Sequence, residues 1–389
     1  MKILLIDPAF YSPFYDLALM NGLAGIDVDV KLASSPFVHT DIKIPDDLIV
    51  LDLFFHLSKF KLISQSAWLR KIFRAIEYPF NWLVLFINLL TSDYDCIHFQ
   101  WVIAPKLDFY LILLLKKLFR IPVVYTAHNA LPHEEKRRNK NVYRKIYKLV
   151  DKIITLTAHE KNKLLSFTQI DSNKVSVIPH GGYLDLVSQC DQDRIHEKIP
   201  NPNNKKIVAF CGLIKPYKGL DILLEAFREV HNNEEVLLAV LGKPQSDFSE
   251  YQRLIERFEI PSEDLYLDLR YLPLPTMMDY IKQADVAVLP YRSATQSGQV
   301  VFYYELGIPV IASAVGGLHE QVFNHKTGML FPNGDVEQLA KTILLILGKS
   351  PEEISMMREE MYSIISAEFS WESIAKSTFE VYEDVTSKR

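Results

Sequence analysis

The sequence predicts two α/β domains, each built on its own doubly wound parallel sheet. Three observations predict this. Short buried apolar runs alternate with helical periods through both halves of the chain. The 389 residues are too many for one core, which makes two domains the natural expectation. A polar stretch from Asp185 to Asn204 separates the two series of alternations and reads as a linker. Composition agrees, since 49% hydrophobic and 23% charged residues are ordinary for a globular protein. The three cysteines, Cys96, Cys190 and Cys211, are widely spaced, giving neither a disulfide framework nor a zinc pattern, and favour a reduced, cytoplasmic setting. The opening MKILLIDPAF reads as a first strand, because its apolar run is too short for a signal peptide and ends at Asp7-Pro8.

In the first half, strand Lys2 to Ile6 leads into the aromatic and proline-rich turn Asp7 to Tyr15, then helix Asp16 to Leu23 and strand Val28 to Leu32. Ligands of such sheets bind at the carboxyl ends of strands, so this turn, with Tyr11 and Ser12, is expected to face a site. The turn lacks the G-x-G-x-x-G pattern, which argues against a nicotinamide or flavin enzyme. Residues 55–92 mix Lys59, Lys61, Arg70, Lys71 and Arg74 with large apolar side chains and end in the apolar run Trp82 to Leu90. That run is shorter than the ~20 residues needed to cross a bilayer. The pattern fits peripheral contact with an anionic membrane, or a packed helix pair with its lysines in water. Cys96 to Gln100 reads as a strand end, Leu107 to Phe119 as a helix, and Pro122 to Thr126 as a strand running into Thr126, His128, Asn129, His133 and Glu134. A lone histidine is more often structural, but this polar set at one strand end marks a candidate site around His128. Helix Asn141 to Leu149 is basic; strand Lys152 to Thr157, helix His159 to Phe167 and strand Val175 to Pro179 complete the half.

Charge is divided unevenly. Residues 1–190 carry 23 Lys+Arg and 18 Asp+Glu, hence +5, and the remainder carries 20 and 30, hence −10. A basic first half suits an anionic membrane surface or a phosphorylated acceptor, with Lys71, Arg74, Lys116 and Lys117 as its face; drift of surface charge between domains is the bland explanation. No nucleic-acid partner is expected.

The second half restarts with strand Lys206 to Cys211, the turn GLIKPYKG and helix Leu220 to Val230. Strands Val236 to Leu241, Leu265 to Leu269, Val286 to Leu289, Val310 to Ser313 and Gly328 to Phe331 follow, with helices between them. These include Pro275 to Ala284, Leu318 to Phe323 and Asp335 to Leu347, and then Pro351 to Ser363 and a final amphipathic helix to Val385. Two lysines after a strand end, Lys215 and Lys218, suit a phosphate pair as point charges; a solvated turn is the alternative. Asp285 to Pro309 reads as a buried strand, a polar turn, Ser297-Gly298 and a helix start. Unpaired N–H groups at such a start can hold an anion.

The Tyr-Lys-Gly after a strand, the Leu-Pro-Tyr turn ending in Ser297-Gly298, Gly307-x-Pro-Val-Ile-Ala-Ser with Gly316-Gly317 and Glu320, the Gly328 to Asp335 segment and Phe369-Ser-Trp371 together resemble the family 4 retaining glycosyltransferases. The resemblance is dense from Ile207 to about Tyr382. It is looser in the first half, through Thr126-x-His128-Asn129 and Ile178-Pro-His-Gly181. It implies the GT-B fold, with two Rossmann-like domains around a cleft. The expected division is 1–185 for the acceptor, a linker at 186–205, 206–368 for the nucleotide-sugar, and a helix at 369–389 returning to the first domain. By position it implies Lys218 as the phosphate-binding lysine and His128 near the donor sugar, both catalytic, with Gly212, Lys215, Ser297, Gly298, Gln299 and Glu305 on the donor side. Tyr11, Ser12, Asn129 and His133 would face the acceptor. The family's arginine after the strand is Leu213 here, with Lys215 as a substitute charge. The positions of its paired glutamates are taken by Thr295 and Phe302, which are not acidic; Glu305 is one turn later.

The resemblance further implies transfer of a sugar from a nucleotide-sugar to a lipid-linked or saccharide acceptor in polysaccharide synthesis, with retention. No metal or cofactor is expected, because lysines can neutralise the diphosphate and the Asp-x-Asp triplets at Asp27, Asp93 and Asp191 are poorly placed. A nucleotide-sugar epimerase of the same fold and a non-catalytic relative are the rival readings.

Overall fold

The computed structural model describes residues 1–36, 44–57, 66–130, 139–184 and 197–387. They form two compact units, Met1–Gly181 with Ser370–Arg389, and Gly182–Phe369.

The first unit holds seven parallel strands, β1 (Lys2–Asp7), β2 (Asp29–Ser34), β3 (Ile49–Asp52), β4 (Cys96–Phe99), β5 (Val123–Ala127), β6 (Lys152–Thr155) and β7 (Val175–Val177), in the order β3-β2-β1-β4-β5-β6-β7. Leu5 of β1 registers with Leu32 of β2 on one side and His98 of β4 on the other. Helices α1 (Pro13–Ala24), α2 (Ala67–Leu90), α3 (Pro105–Phe119), α4 (Lys140–Leu149) and α5 (Ala158–Thr168) connect them. The central strands are buried and read as mainly apolar runs because both faces are covered. Strand β3 has no sequence signal of that kind: it is a half-exposed edge strand with charge at its end. Helix α1 begins three residues before the expected Asp16, because Pro13 with its fixed φ suits the first turn.

Residues 67–90 form one continuous helix rather than a pair. Ser66 caps it, accepting the Leu69 N–H at 3.4 Å. Tyr78, Trp82, Leu85 and Leu89 are its buried face, with Trp82 stacked on Phe99 at 5.9 Å. Its other face is unusual: from Ala75 to Leu90 every exposed residue is apolar, including Ile76, Phe80, Leu83, Val84 and Ile87. No helix among the described residues is long and apolar enough to cross a membrane.

The second unit holds six parallel strands, β8 (Lys206–Cys211), β9 (Val236–Leu241), β10 (Leu265–Asp268), β11 (Val286–Leu289), β12 (Val310–Ser313) and β13 (Gly328–Phe331), ordered β10-β9-β8-β11-β12-β13. Its helices are α6 (Leu220–His231), α7 (Ser249–Arg257), α8 (Leu274–Ile281), α9 (Gly298–Glu305), α10 (Leu318–Gln321), α11 (Val336–Leu347) and α12 (Pro351–Ile364). Helix α10 stops short of the expected Phe323, because Val322 is extended and the Phe323 N–H turns to Thr327 Oγ1 at 3.2 Å. Of the expected linker, residues 185–196 lie outside the described residues. Glu197 to Lys205 is fastened to this unit: Glu197 pairs with Arg270 at 2.8 Å, the Ile199 N–H donates to Gln283 at 3.0 Å, and Lys205 pairs with Asp264.

The last helix, α13 (Trp371–Thr386), belongs to the first unit. It lies against α1 at Gly22, where a Cβ would come within 2.6 Å of the Trp371 carbonyl. A Cβ at Gly181 would meet the Trp371 ring at 2.5 Å. Tyr382 and His98 Nδ1 are hydrogen-bonded at 2.7 Å, and Asp384 pairs with Lys152 at 2.7 Å.

Both strand orders reverse once, between β1 and β4 and between β8 and β11. Connections leave in opposite directions there and open a crevice at the carboxyl ends of the strands.

Candidate functional site

At the reversal in the second unit, β8 runs into Gly212 and the turn that carries Lys215 and Lys218, and β11 runs into the loop before α9. Gly212 has φ +104°, and a Cβ there would lie 2.6 Å from Gln299 Nε2 and 3.1 Å from Lys218 Nζ. Two further glycines seat the loops: a Cβ at Gly219 would strike the Pro290 carbonyl, and one at Gly316 the Ala294 carbonyl. Ser313 Oγ donates to the Tyr291 carbonyl, and Arg292 donates to the Pro216 carbonyl at 3.0 Å. The two loops are thus stapled side by side.

Lys218 is the centre of this arrangement. It is 9% exposed, its Nζ is 3.4 Å from Gln299 Oε1 and 5.3 Å from the Tyr291 ring centroid, and it makes no ion pair among the described residues. Burial lowers its pKa. Gln299 is fixed by two stronger bonds, Nε2 donating to the Cys211 carbonyl at 2.7 Å and Oε1 accepting from Tyr291 at 2.6 Å. A buried ammonium with no carboxylate costs several kcal/mol, on the order expected for an unpaired buried charge, until an anion joins it. Lys215 lies half-buried at the start of the same turn.

Two donor-side positions already have partners within the unit. The Ser297 N–H is already taken by Gln321 Oε1 at 2.8 Å, and Gln321 Nε2 returns a bond to the Ser297 carbonyl at 3.2 Å. The helix start therefore offers Gly298 and Gln299, not Ser297. Glu305 accepts the backbone N–H of Tyr183 at 2.8 Å and of Leu184 at 3.2 Å, which commits its carboxylate to holding that strand of chain. Gly298 is bare because the Tyr183 hydroxyl fills the place of a Cβ. An eight-residue spacing counted back from Phe302 falls on Ala294, one residue before Thr295; neither is acidic.

In the first unit, the reversal between β1 and β4 brings Asp7 and the Tyr11-Ser12 loop beside Gln100 and Trp101. His128, at the end of β5, is 8% exposed. Its ring lies parallel to Trp101 at 4.8 Å and 2°, and Tyr15 packs edge-on at 4.9 Å. Its Nε2 is 3.1 Å from Gln100 Oε1. Trp101 Nε1 donates to Ser12 Oγ at 2.9 Å, and Tyr11, 58% exposed, sets its ring 5.7 Å from Trp101 at the rim. Asn129 is half-buried beside His128; His133 and Glu134 lie outside the described residues. Burial drives the His128 pKa down to about 3, with His180 and His98 adding to it. His98 and His180 are themselves lowered to about 3 and about 4, chiefly by burial. Asp7 and Asp16 move the other way: burial is the largest cause and raises both, and each carboxyl acts on the other. Sequence reading passed over Gln100, Trp101 and Tyr15. The run His98-Phe-Gln-Trp101 at a strand end was the available signal.

Of the expected basic face, Lys71 and Lys117 are exposed. Lys116 is instead paired with Asp151 at 2.7 Å, and Arg74 lies over the Phe55 ring at 5.0 Å.

Two doubly wound units, each with polar groups gathered at its strand-order reversal, define the GT-B class of two-domain α/β enzymes. Solved structures of that class match over the whole chain. A glycosyltransferase from Rickettsia africae aligns with TM-score 0.74 and 18% identity over 100% of this chain and 99% of its own. HepE from Anabaena, in complex with UDP, aligns with TM-score 0.72 and 16% identity over 99% and 100%. The model "Glycosyltransferase Family 4" matches residues 25–185, and "Glycosyl transferases group 1" matches residues 191–363. The two models thus account for the two halves of the chain in turn, and the chain is a nucleotide-sugar-dependent glycosyltransferase. The D-inositol 3-phosphate glycosyltransferase of Corynebacterium glutamicum (strain R) is 24% identical over 396 residues, 95% of this chain and 90% of its own.

Proposed function

We propose that the chain moves a hexosyl group from a nucleoside diphosphate sugar to a hydroxyl of a lipid-linked saccharide acceptor, at the inner surface of the cytoplasmic membrane and with retention. The observation that carries the donor half is Lys218, a buried ammonium without a counter-ion among the described residues, beside a helix start. A diphosphate supplies the missing charge, assisted by Lys215 and the N–H groups of Gly298 and Gln299. In the reaction the bond from sugar C1 to the phosphate oxygen breaks and a bond from C1 to the acceptor oxygen forms. The acceptor proton leaves with the nucleoside diphosphate. His128, with a pKa of about 3, is a poor base for that proton, which leaves the departing phosphate oxygen as the better one.

The acceptor half rests on the exposed apolar face of α2. Patches of that kind mark contact surfaces. Tyr110, Leu114 and Leu118 form a second exposed apolar row on α3, with Lys106, Lys117 and Arg120 exposed on or just beyond the same helix and Lys71 at the start of α2. Apolar side chains bordered by lysine and arginine suit an anionic bilayer surface. A second reading, a soluble phosphorylated polyol as acceptor, is favoured by the names of the inositol phosphate relatives. The test is nucleoside diphosphate release from a panel of nucleotide-sugars, with membrane lipid extract, with inositol phosphate, or with neither. Release stimulated by lipid extract, and unaffected by EDTA, is the expected outcome. Stimulation by inositol phosphate alone would shift the reading to the soluble acceptor, and loss of activity in EDTA would overturn the metal-free neutralisation by lysine.

A further inference from the structure

We propose that Gln100 is a positioning residue that holds His128 in the tautomer with hydrogen on Nε2, so that Nδ1 faces a substrate hydroxyl as an acceptor. The inference rests on the reading of the first unit as the side that meets sugar hydroxyls. Gln100 is fully buried at the carboxyl end of β4, beside the strand-order reversal. Its Oε1 lies 3.1 Å from His128 Nε2, and this is the polar contact the ring makes among the described residues. The remaining contacts are aromatic: the Trp101 face at 4.8 Å and the Tyr15 edge at 4.9 Å. Those rings fix the plane of the imidazole but are indifferent to which nitrogen carries the hydrogen.

A neutral imidazole has one donor and one acceptor. If Nε2–H donates to the amide oxygen, Nδ1 keeps its lone pair and has no hydrogen-bond partner among the described residues. A sugar hydroxyl can then donate to it. The amide is otherwise poorly served. Gln100 Nε2 is buried without an acceptor among the described residues, so an aliphatic side chain of the same size would pack there at lower cost. What the amide adds is the oxygen opposite His128. Second contacts that set a histidine tautomer are a general device for orienting a functional imidazole.

Two variants and one spectrum test this. Nitrogen-15 NMR of the wild-type imidazole should show Nε2 protonated and Nδ1 bare, and Q100M should show mixed tautomers. Q100M should lose about 10-fold or more in kcat, of the order that follows loss of one oriented group, with nucleotide affinity within about twofold. Q100E, whose carboxylate can only accept, should keep kcat within about threefold of wild type at pH 8, because it preserves the Nε2–H contact. A wild-type spectrum with Nδ1 protonated, or Q100M turnover equal to wild type, would overturn the proposal. If instead the wild type transfers no sugar while Nε2 is protonated in wild type and Q100E but not in Q100M, the tautomer assignment stands and the glycosyl-transfer reading fails.

Discussion

Lys218 sets function against stability within one side chain. Its ammonium is held by a long contact to Gln299 and by the face of Tyr291, neither of which replaces a counter-ion. Replacing it by methionine should raise the dissociation constant of a nucleoside diphosphate sugar about 10- to 100-fold, the equivalent of a charged hydrogen bond worth about 1.5–3 kcal/mol. The same change should leave the nucleotide-free protein at least as stable as wild type in a thermal scan. A variant that melts lower yet binds the donor normally would make Lys218 a structural residue. The three buried histidines give a second residue-scale expectation. Their folded pKa values, about 3 for His98 and His128 and about 4 for His180, lie below the ~6.5 of an unfolded chain. The unfolded state therefore takes up protons first. Their stabilising contribution is complete above about pH 6.5 and is lost as pH falls toward 4 and then 3. Asp108, raised to about 6 by burial, works in the opposite sense and gains as pH falls below 6. Imidazole resonances of the three histidines should show no inflection between pH 8 and pH 5; one above pH 5 would contradict their burial as neutral rings.

At the scale of elements, α2 is the clearest test. Phe80 and Leu83 are 64% and 56% exposed, so glutamate at both should change stability by no more than about 0.5 kcal/mol each. Binding to anionic lipid vesicles should fall at least about 10-fold, since two apolar anchors are lost and two repelling charges gained. Co-sedimentation equal to wild type would remove α2 from the membrane assignment. The same helix shows what sequence could and could not convey. The parallel strands were legible because a strand covered on both faces is a plain apolar run. Helix α2 was legible as basic and apolar but not as one helix, because Pro79 and the mixed faces obscure its period. Strand β3 was silent because an edge strand needs no such run. The donor-side turn was read from Lys215, Lys218 and Gly298. The competition of Gln321 for the Ser297 N–H, and the use of Glu305 as a backbone anchor, depend on residues far away in sequence. Gln100 was missed for the same reason: its meaning comes from His128, 28 positions later.

For the whole molecule, the division of the chain matters as much as either sheet. The first unit is made from both ends of the sequence, with α13 closing over α1, β4 and the segment at Gly181. Trp371 is 5% exposed and packs on Tyr15 at 5.3 Å and His180 at 6.1 Å. Trp371→Ala should cost about 3–5 kcal/mol, the usual range for a large buried ring. Calorimetry should show that loss in one of two melting transitions, with the other unmoved; a uniform shift of both would mean the units do not melt separately. Helix α13 also has a consequence for biosynthesis. A ribosome releases residues 182–369 before the last helix of the first unit, so the second sheet can be complete while the first still lacks its closing piece. The amino-terminal domain usually matures first during translation; here its completion is expected to wait for the carboxyl-terminal helix. A released chain ending at Phe369 should therefore resist protease in its later half and remain cleavable in its earlier one.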